Sequence, residues 1–197
     1  MVRIGILALQ GAFIEHRQML EKIGATVFEI RSVNDLIDPF DGLVLPGGES
    51  TTMGRLLYDL NLFNPIKNLI KSNLPVLGTC AGAILLANHL TNDAHTYFQT
   101  MDITVYRNAY GRQLGSFKIA ASYKDHGSVP MVFIRAPQIV SVGPNVQILA
   151  THDGHIVAAK EANQMVTTFH PELTEDETIH RDFLALCEHY HQQKNVG

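Results

Sequence analysis

The sequence predicts an α/β fold: a three-layer sandwich with a mainly parallel central sheet, flanking helices, and antiparallel additions in the second half. Three observations predict it. Short apolar runs at 4–9, 42–45 and 74–78 read as strands buried on both faces. Helix-forming segments lie between them, the alternation that builds βαβ units and a parallel sheet. From Met101 to Phe169 the pattern changes to short β-rich runs divided by turn residues.

Each element has a local reason. The first strand stops at Gln10-Gly11, and a helix over 12–23 carries Phe13, Met19, Leu20 and Ile23, with Gly24 as its stop. Residues 25–30 are β-rich. The strand at 42–45 stops at Pro46-Gly47-Gly48. Helices follow over 51–60 and 65–72, with Pro65 near the first turn of the second. The strand at 74–78 feeds an Ala/Leu-rich helix over 81–90. Strands are then expected at 101–106, 115–121, 131–135, 146–150, 155–160 and 164–169. A last helix, about 175–191, opens with Glu175, Asp176 and Glu177, which suit the positive end of its dipole. There are no repeats and no linker, so a single domain over 1–197 is expected.

Composition removes several function classes. The chain has 197 residues, 46% hydrophobic and 17% charged, which is globular rather than disordered. Lys and Arg number 15 against 19 Asp and Glu, a net charge of −4, which argues against a dedicated nucleic-acid binder. Two cysteines, Cys80 and Cys187, cannot build a disulfide framework and point to a reducing cytoplasm. No apolar run approaches the roughly 20 residues needed to span a bilayer, and the N-terminus lacks the long apolar core of a signal peptide. Ten histidines raise the question of metal, but His152-Asp153-Gly154-His155 and His189-Tyr190-His191 match no zinc spacing, so none is expected.

The chemistry concentrates in three segments. Pro75-Val76-Leu77-Gly78-Thr79-Cys80-Ala81-Gly82 reads as strand, sharp turn and helix, a nucleophile elbow with Cys at its apex. Gly78 and Gly82 remove bulk where the turn is tightest. Cys80 meets the helix N-terminus, which favours a thiolate, and the Ala81 N–H would face the oxyanion formed on attack. A thiolate nucleophile needs a base and an orienting group. Phe169-His170-Pro171-Glu172 follows a β-rich run, so His170 sits at a strand end, where open α/β sheets bind ligands. With the chain extended, Glu172 returns to the His170 side two residues on. The third segment, Leu45-Pro46-Gly47-Gly48-Glu49-Ser50-Thr51-Thr52, lets backbone N–H groups approach an anion. It lacks the Walker lysine, so a second oxyanion donor from Gly47 or Gly48 is the better use.

Together these segments resemble the class I, triad-type glutamine amidotransferases, a flavodoxin-like fold. Within them, Leu9-Gln10-Gly11-Ala12, the 45–52 segment, Arg107-Asn108-Ala109-Tyr110-Gly111-Arg112-Gln113, Phe133-Ile134-Arg135-Ala136-Pro137 and Phe169-His170-Pro171-Glu172-Leu173-Thr174 resemble the glutaminase subunits of pyridoxal 5′-phosphate synthases. The resemblance implies hydrolysis of L-glutamine to glutamate and ammonia, with Cys80 as nucleophile, His170 as acid and base, and Glu172 orienting His170. It implies an oxyanion hole from Gly47, Gly48 and Ala81, and glutamine binding by Gly48, Glu49, Ser50, Arg107, Ile134 and Arg135. Which arginine takes the substrate carboxylate stays open. No cofactor is implied. The implied partner is a (β/α)8-barrel synthase subunit in a large ring-shaped hetero-oligomer, which receives the ammonia and switches the glutaminase on. A glutaminase subunit of another amidotransferase, such as imidazole glycerol phosphate synthase, is the alternative. It would share the elbow and His170-Pro171-Glu172 but not the 107–113 segment.

Overall fold

Apolar side chains alternate between the two faces of the central strands, and each face collects its own core. Ile4, Ile6, Val44 and Leu77 point to one side, and Leu7, Leu43, Leu45 and Val76 to the other. That is the signature of a sheet covered on both faces. In a computed structural model, residues 1–91, 93–109 and 115–194 are described.

The first half is doubly wound. Strands β1 (Arg3–Leu7), β2 (Thr26–Ile30), β3 (Gly42–Leu45) and β4 (Val76–Thr79) run parallel in the order β2-β1-β3-β4. Helix α1 (Phe13–Lys22) packs on one face. Helices α2 (Ser50–Asp59), α3 (Phe63–Lys71) and α4 (Ala81–Leu86) pack on the other. The sheet continues through β5 (Ala87–Leu90), β6 (Met101–Tyr106), β9 (Gln138–Val142), β10 (Gln147–His152), β11 (His155–Glu161) and β12 (Gln164–Thr167). Its full order is β2-β1-β3-β4-β12-β11-β9-β6-β5, with β10 on β11. Strand β12 runs parallel to β4, while β11 is antiparallel to β9, β10 and β12. A separate antiparallel hairpin, β7 (Ser116–Ser122) and β8 (Ser128–Ile134), joins the core on the α1 face. The closing helix α5 (Thr178–Lys194) packs beside α1. The Asp176 carboxylate accepts from the Thr178 N–H at its start. The mainly parallel sheet with antiparallel additions is thus the architecture the sequence predicts.

Besides β8, which starts at Ser128 rather than 131, the structure differs from the sequence reading in four places. The helix expected over 81–90 ends at Leu86, and Ala87–Leu90 forms β5 instead, pairing parallel with β6. Every side chain from Ala81 to Ala87 is buried, so the run has no amphipathic period, and edge pairing decides its fate. Strand β9 was not expected. The last helix starts at Thr178 rather than near 175. Finally, the chain after His170 is not extended: Pro171–Leu173 makes one 3-10 turn with proline in its first position. Residues Tyr110 to Gln113 of the 107–113 segment lie outside the described residues.

Candidate active site

Two adjacent parallel strands bring the chemistry together. β4 ends at Thr79, and Cys80 follows with φ +50°, a left-handed conformation that costs a non-glycine residue energy. The Cys80 N–H donates to the carbonyl of Thr167 on β12, at 2.8 Å, which pins the elbow to its neighbour. The turn can close because Gly82 lies against the Leu45 carbonyl, where a Cβ would collide. Three residues past the end of β12, the His170 N–H donates to the Val132 carbonyl of β8 at 2.7 Å. The hairpin therefore fixes where the imidazole stands.

His170 stands beside the Cys80 side chain on one side and, through Nδ1, hydrogen-bonds with Glu172 Oε1 at 2.6 Å on the other, while Cys80 Sγ lies 3.9 Å from the Ile134 carbonyl oxygen. The 3-10 turn brings Glu172 back beneath the ring, in place of an extended strand. All three side chains are buried to more than nine-tenths. Burial alone would make His170 less basic. The neighbouring Cys80 and Glu172 side chains outweigh it, and the imidazole is pushed up to about 10. Burial likewise opposes ionisation of Glu172, but His16 and the hydrogen bond with His170 prevail, holding it below the usual carboxylate range. Thus His170 is cationic and Glu172 anionic at neutral pH.

The Gly47-Gly48 loop closes over this group. A Cβ on Gly47 would collide with the His170 ring, so only glycine lets the loop approach. The Gly47 carbonyl accepts from the Ala12 N–H at 3.2 Å, and the Glu49 N–H donates to Gln10 Oε1 at 2.7 Å. Glu49 also caps α2, accepting from the N–H groups of Thr51 and Thr52 at 3.2 and 2.8 Å. In the first turn of α4 the helix ladder leaves the Ala81 N–H unused.

A pocket of about 410 Å³ opens in front of Cys80. Of the residues singled out in the sequence, Gly48, Glu49, Ser50, Cys80, Ala81, Arg107, Ile134, Arg135 and His170 line it, and Gly47 and Glu172 lie directly behind. Arg107 bonds Asp93 at 2.7 Å and Thr51 Oγ1 at 2.9 Å, and it lies 3.7 Å from Glu49. Arg135 sits at φ +45°, with its N–H donating to the Gly115 carbonyl. Gln10, Ile84 and Asn108 also line the pocket and were not singled out as site residues. Gln10 and Asn108 stood in the sequence segments already quoted, which was the available signal.

Among the described residues, no group of three or more His, Cys, Asp or Glu is placed to hold a metal ion. His152 and His155 form a cross-strand pair, and His191 reaches Asp41 at 3.0 Å. No helix among the described residues is long and apolar enough to cross a membrane.

The model of the SNO glutamine amidotransferase family matches residues 6–189. Over 185 residues the chain is 56% identical to "Pyridoxal 5′-phosphate synthase subunit PdxT" of Methanocorpusculum labreanum, covering 94% of this chain and 97% of that one. It is 53% identical over 194 residues to the protein of the same name in Streptococcus pneumoniae, covering 97% and 100%. Among solved structures it is similar to a glutamine amidotransferase at TM-score 0.88 and 36% identity, covering 94% and 98%. A likeness to PurLQS of Thermotoga maritima, at TM-score 0.68, 13% identity and coverage of 96% and 98%, shows the fold alone.

Proposed function

This chain belongs to the SNO glutamine amidotransferase family, and from that premise we propose that it is the glutaminase subunit of a pyridoxal 5′-phosphate synthase. The observation that carries the proposal is the continuous line of Cys80, His170 and Glu172 at the floor of a pocket with charged walls.

Glutamine enters with its side-chain amide toward Cys80. Arg107 and Arg135 supply the cationic wall for its carboxylate, and Glu49 the anionic wall for its ammonium. Cys80 Sγ attacks the amide carbon as a thiolate, and the carbonyl electrons move to oxygen. Backbone N–H groups at Gly48 and Ala81 hold that oxyanion. His170, already protonated, gives its proton to the nitrogen, the C–N bond breaks and ammonia leaves. A γ-glutamyl thioester remains on Cys80. His170 then takes a proton from water, the resulting hydroxide displaces the sulfur, and glutamate departs. Glu172 keeps the imidazole oriented and stabilises its positive form throughout.

The ammonia passes to a synthase subunit rather than to solvent. That partner is a (β/α)8 barrel assembled into a ring, and its docking completes the oxyanion loop at Gly47-Gly48. The reading is tested by assaying glutamine hydrolysis by wild type and Cys80→Ala, each with and without the cognate synthase subunit. Wild-type ammonia release that rises with the partner and vanishes in Cys80→Ala is expected. Release that ignores the partner removes the switch; release retained by Cys80→Ala removes the nucleophile.

A further inference from the structure

Behind Glu172 lies a pair of fully buried histidines that the reaction as described does not use. His16 on α1 and His180 on α5 have no solvent exposure. His16 Nδ1 lies 2.9 Å from His180 Nε2. His16 Nε2 lies 3.0 Å from Thr79 Oγ1, the residue just before Cys80, and 3.4 Å from Glu172 Oε2. Two buried polar atoms here have no hydrogen-bond partner of ordinary geometry: Glu172 Oε2 and His180 Nδ1.

Those positions fix where the protons sit. A buried N–H without an acceptor is costlier than a buried lone pair without a donor. His180 Nδ1 therefore carries no proton, and its Nε2–H donates to His16 Nδ1. His16 in turn bears its proton on Nε2, aimed at Thr79 Oγ1 and Glu172 Oε2. The opposite tautomer would turn an Nε2 lone pair toward a carboxylate oxygen 3.4 Å away and strand an N–H on His180. The charges facing His16 agree with a neutral ring. Burial lowers its basicity most, Glu172 raises it, His170 lowers it, and Glu15 on its own helix raises it. His180 is held neutral chiefly by burial, and a charge on either ring would disfavour one on the other.

We propose that His16 is a positioning residue of the active site, a neutral Nε2–H tautomer fixed by His180 that bonds Thr79 Oγ1 and turns its polar N–H edge toward the otherwise unpartnered inner oxygen of Glu172. This rests on the reading of Cys80, His170 and Glu172 as the catalytic group. One carboxylate then has two different histidines, a charged one that reacts and a neutral one that holds. A neutral donor is what this place requires, because a second cation would compete with His170 for the same charge. The line runs from His180 through His16, Glu172 and His170 to Cys80, and it joins the α1–α5 layer to the elbow.

The test has two arms. In the complete glutaminase–synthase complex, His16→Phe removes the donor at similar volume. It is expected to lower kcat roughly tenfold or more, leave KM for glutamine nearly unchanged, and move the acid limb of kcat/KM upward by about one pH unit as Glu172 protonates more easily. His16→Gln, which returns an N–H at the Nε2 position, restores most of both. Loss of kcat without a moved limb, or without rescue by His16→Gln, overturns the proposal in favour of packing. The second arm needs no variant. Long-range proton–nitrogen correlation spectra of the full chain are expected to show His16 and His180 as neutral Nε2–H rings from about pH 6 to 9. A proton on His16 Nδ1, or an imidazolium there, overturns it even if His16→Phe fails to fold. Wild-type complex that releases no ammonia overturns the catalytic reading itself, and this proposal falls with it.

Discussion

Cysteine and histidine occur together twice in this protein, at the pocket and in the seam where α5 packs on the sheet. At the pocket, Cys80 stands on a left-handed turn at a strand end and meets a charged imidazole. In the seam, Cys187 and His180 share the buried face of a regular helix. There burial, with Asp41 and Glu188, pushes the Cys187 thiol well up, and burial pushes His180 well down. Both cysteines are buried, so burial does not separate them. What separates them is a neighbour. His170 carries a carboxylate partner and a strained turn holds Cys80 beside it, whereas Cys187 packs against Phe183 and Gly42 on the buried face of α5. In the proposed function, reactivity belongs to the strand end, and the residue types merely permit it.

The contrast can be broken most severely at His170. His170→Asn keeps a polar side chain but loses the proton carrier, and glutaminase kcat is expected to fall about 10³-fold or more. The same variant tests the charge. A histidine whose folded pKa is raised from 6.5 to about 10 stabilises the fold fully below 6.5 and loses that contribution as pH climbs toward 10. The stability advantage of wild type over His170→Asn, read by urea unfolding, therefore shrinks over that window. The seam has the opposite sign: His16 and His180 are held neutral, so unfolding gains protons below 6.5 and acid weakens the fold there.

The approach of the loop gives a smaller effect. Gly47→Ala forces a methyl into the His170 ring and is expected to lower kcat about 10²-fold, in a protein whose circular dichroism is unchanged. Smallest of all is the seam cysteine. Cys187→Ala leaves kcat/KM at the wild-type value and costs about 1–2 kcal/mol in unfolding free energy, through the small cavity left beside Gly42. Loss of activity there would dissolve the contrast.

Much of the pocket could be read in advance because its parts are local. A strand, two glycines and a helix start within eight residues announce Cys80, and His170-Pro171-Glu172 is contiguous. β1, β3 and β4 were legible because burial on both faces leaves unbroken apolar runs. The failures are of two kinds. Residues 81–87 are apolar without a period, so helix and strand look alike until β6 pairs with Ala87–Leu90. His16 and His180 stand 164 residues apart, on helices whose own patterns explain them, and only the packed fold sets them 2.9 Å from one another. The 3-10 turn at Pro171 has a similar lesson: the sequence lets His170 and Glu172 share a side on an extended chain, while the fixed φ of proline suits the first position of a turn that does the same.

The central claim is that Cys80 carries the glutamyl group, and one measurement addresses it directly. The complex with the synthase subunit is mixed with glutamine, quenched in acid within the first turnovers, and digested for mass spectrometry. A γ-glutamyl adduct on the peptide containing Cys80, absent from Cys80→Ala and from the Cys187 peptide, is the result this account predicts. Steady ammonia release with Cys80 unmodified in the quenched complex, or an adduct on Cys187, would contradict it.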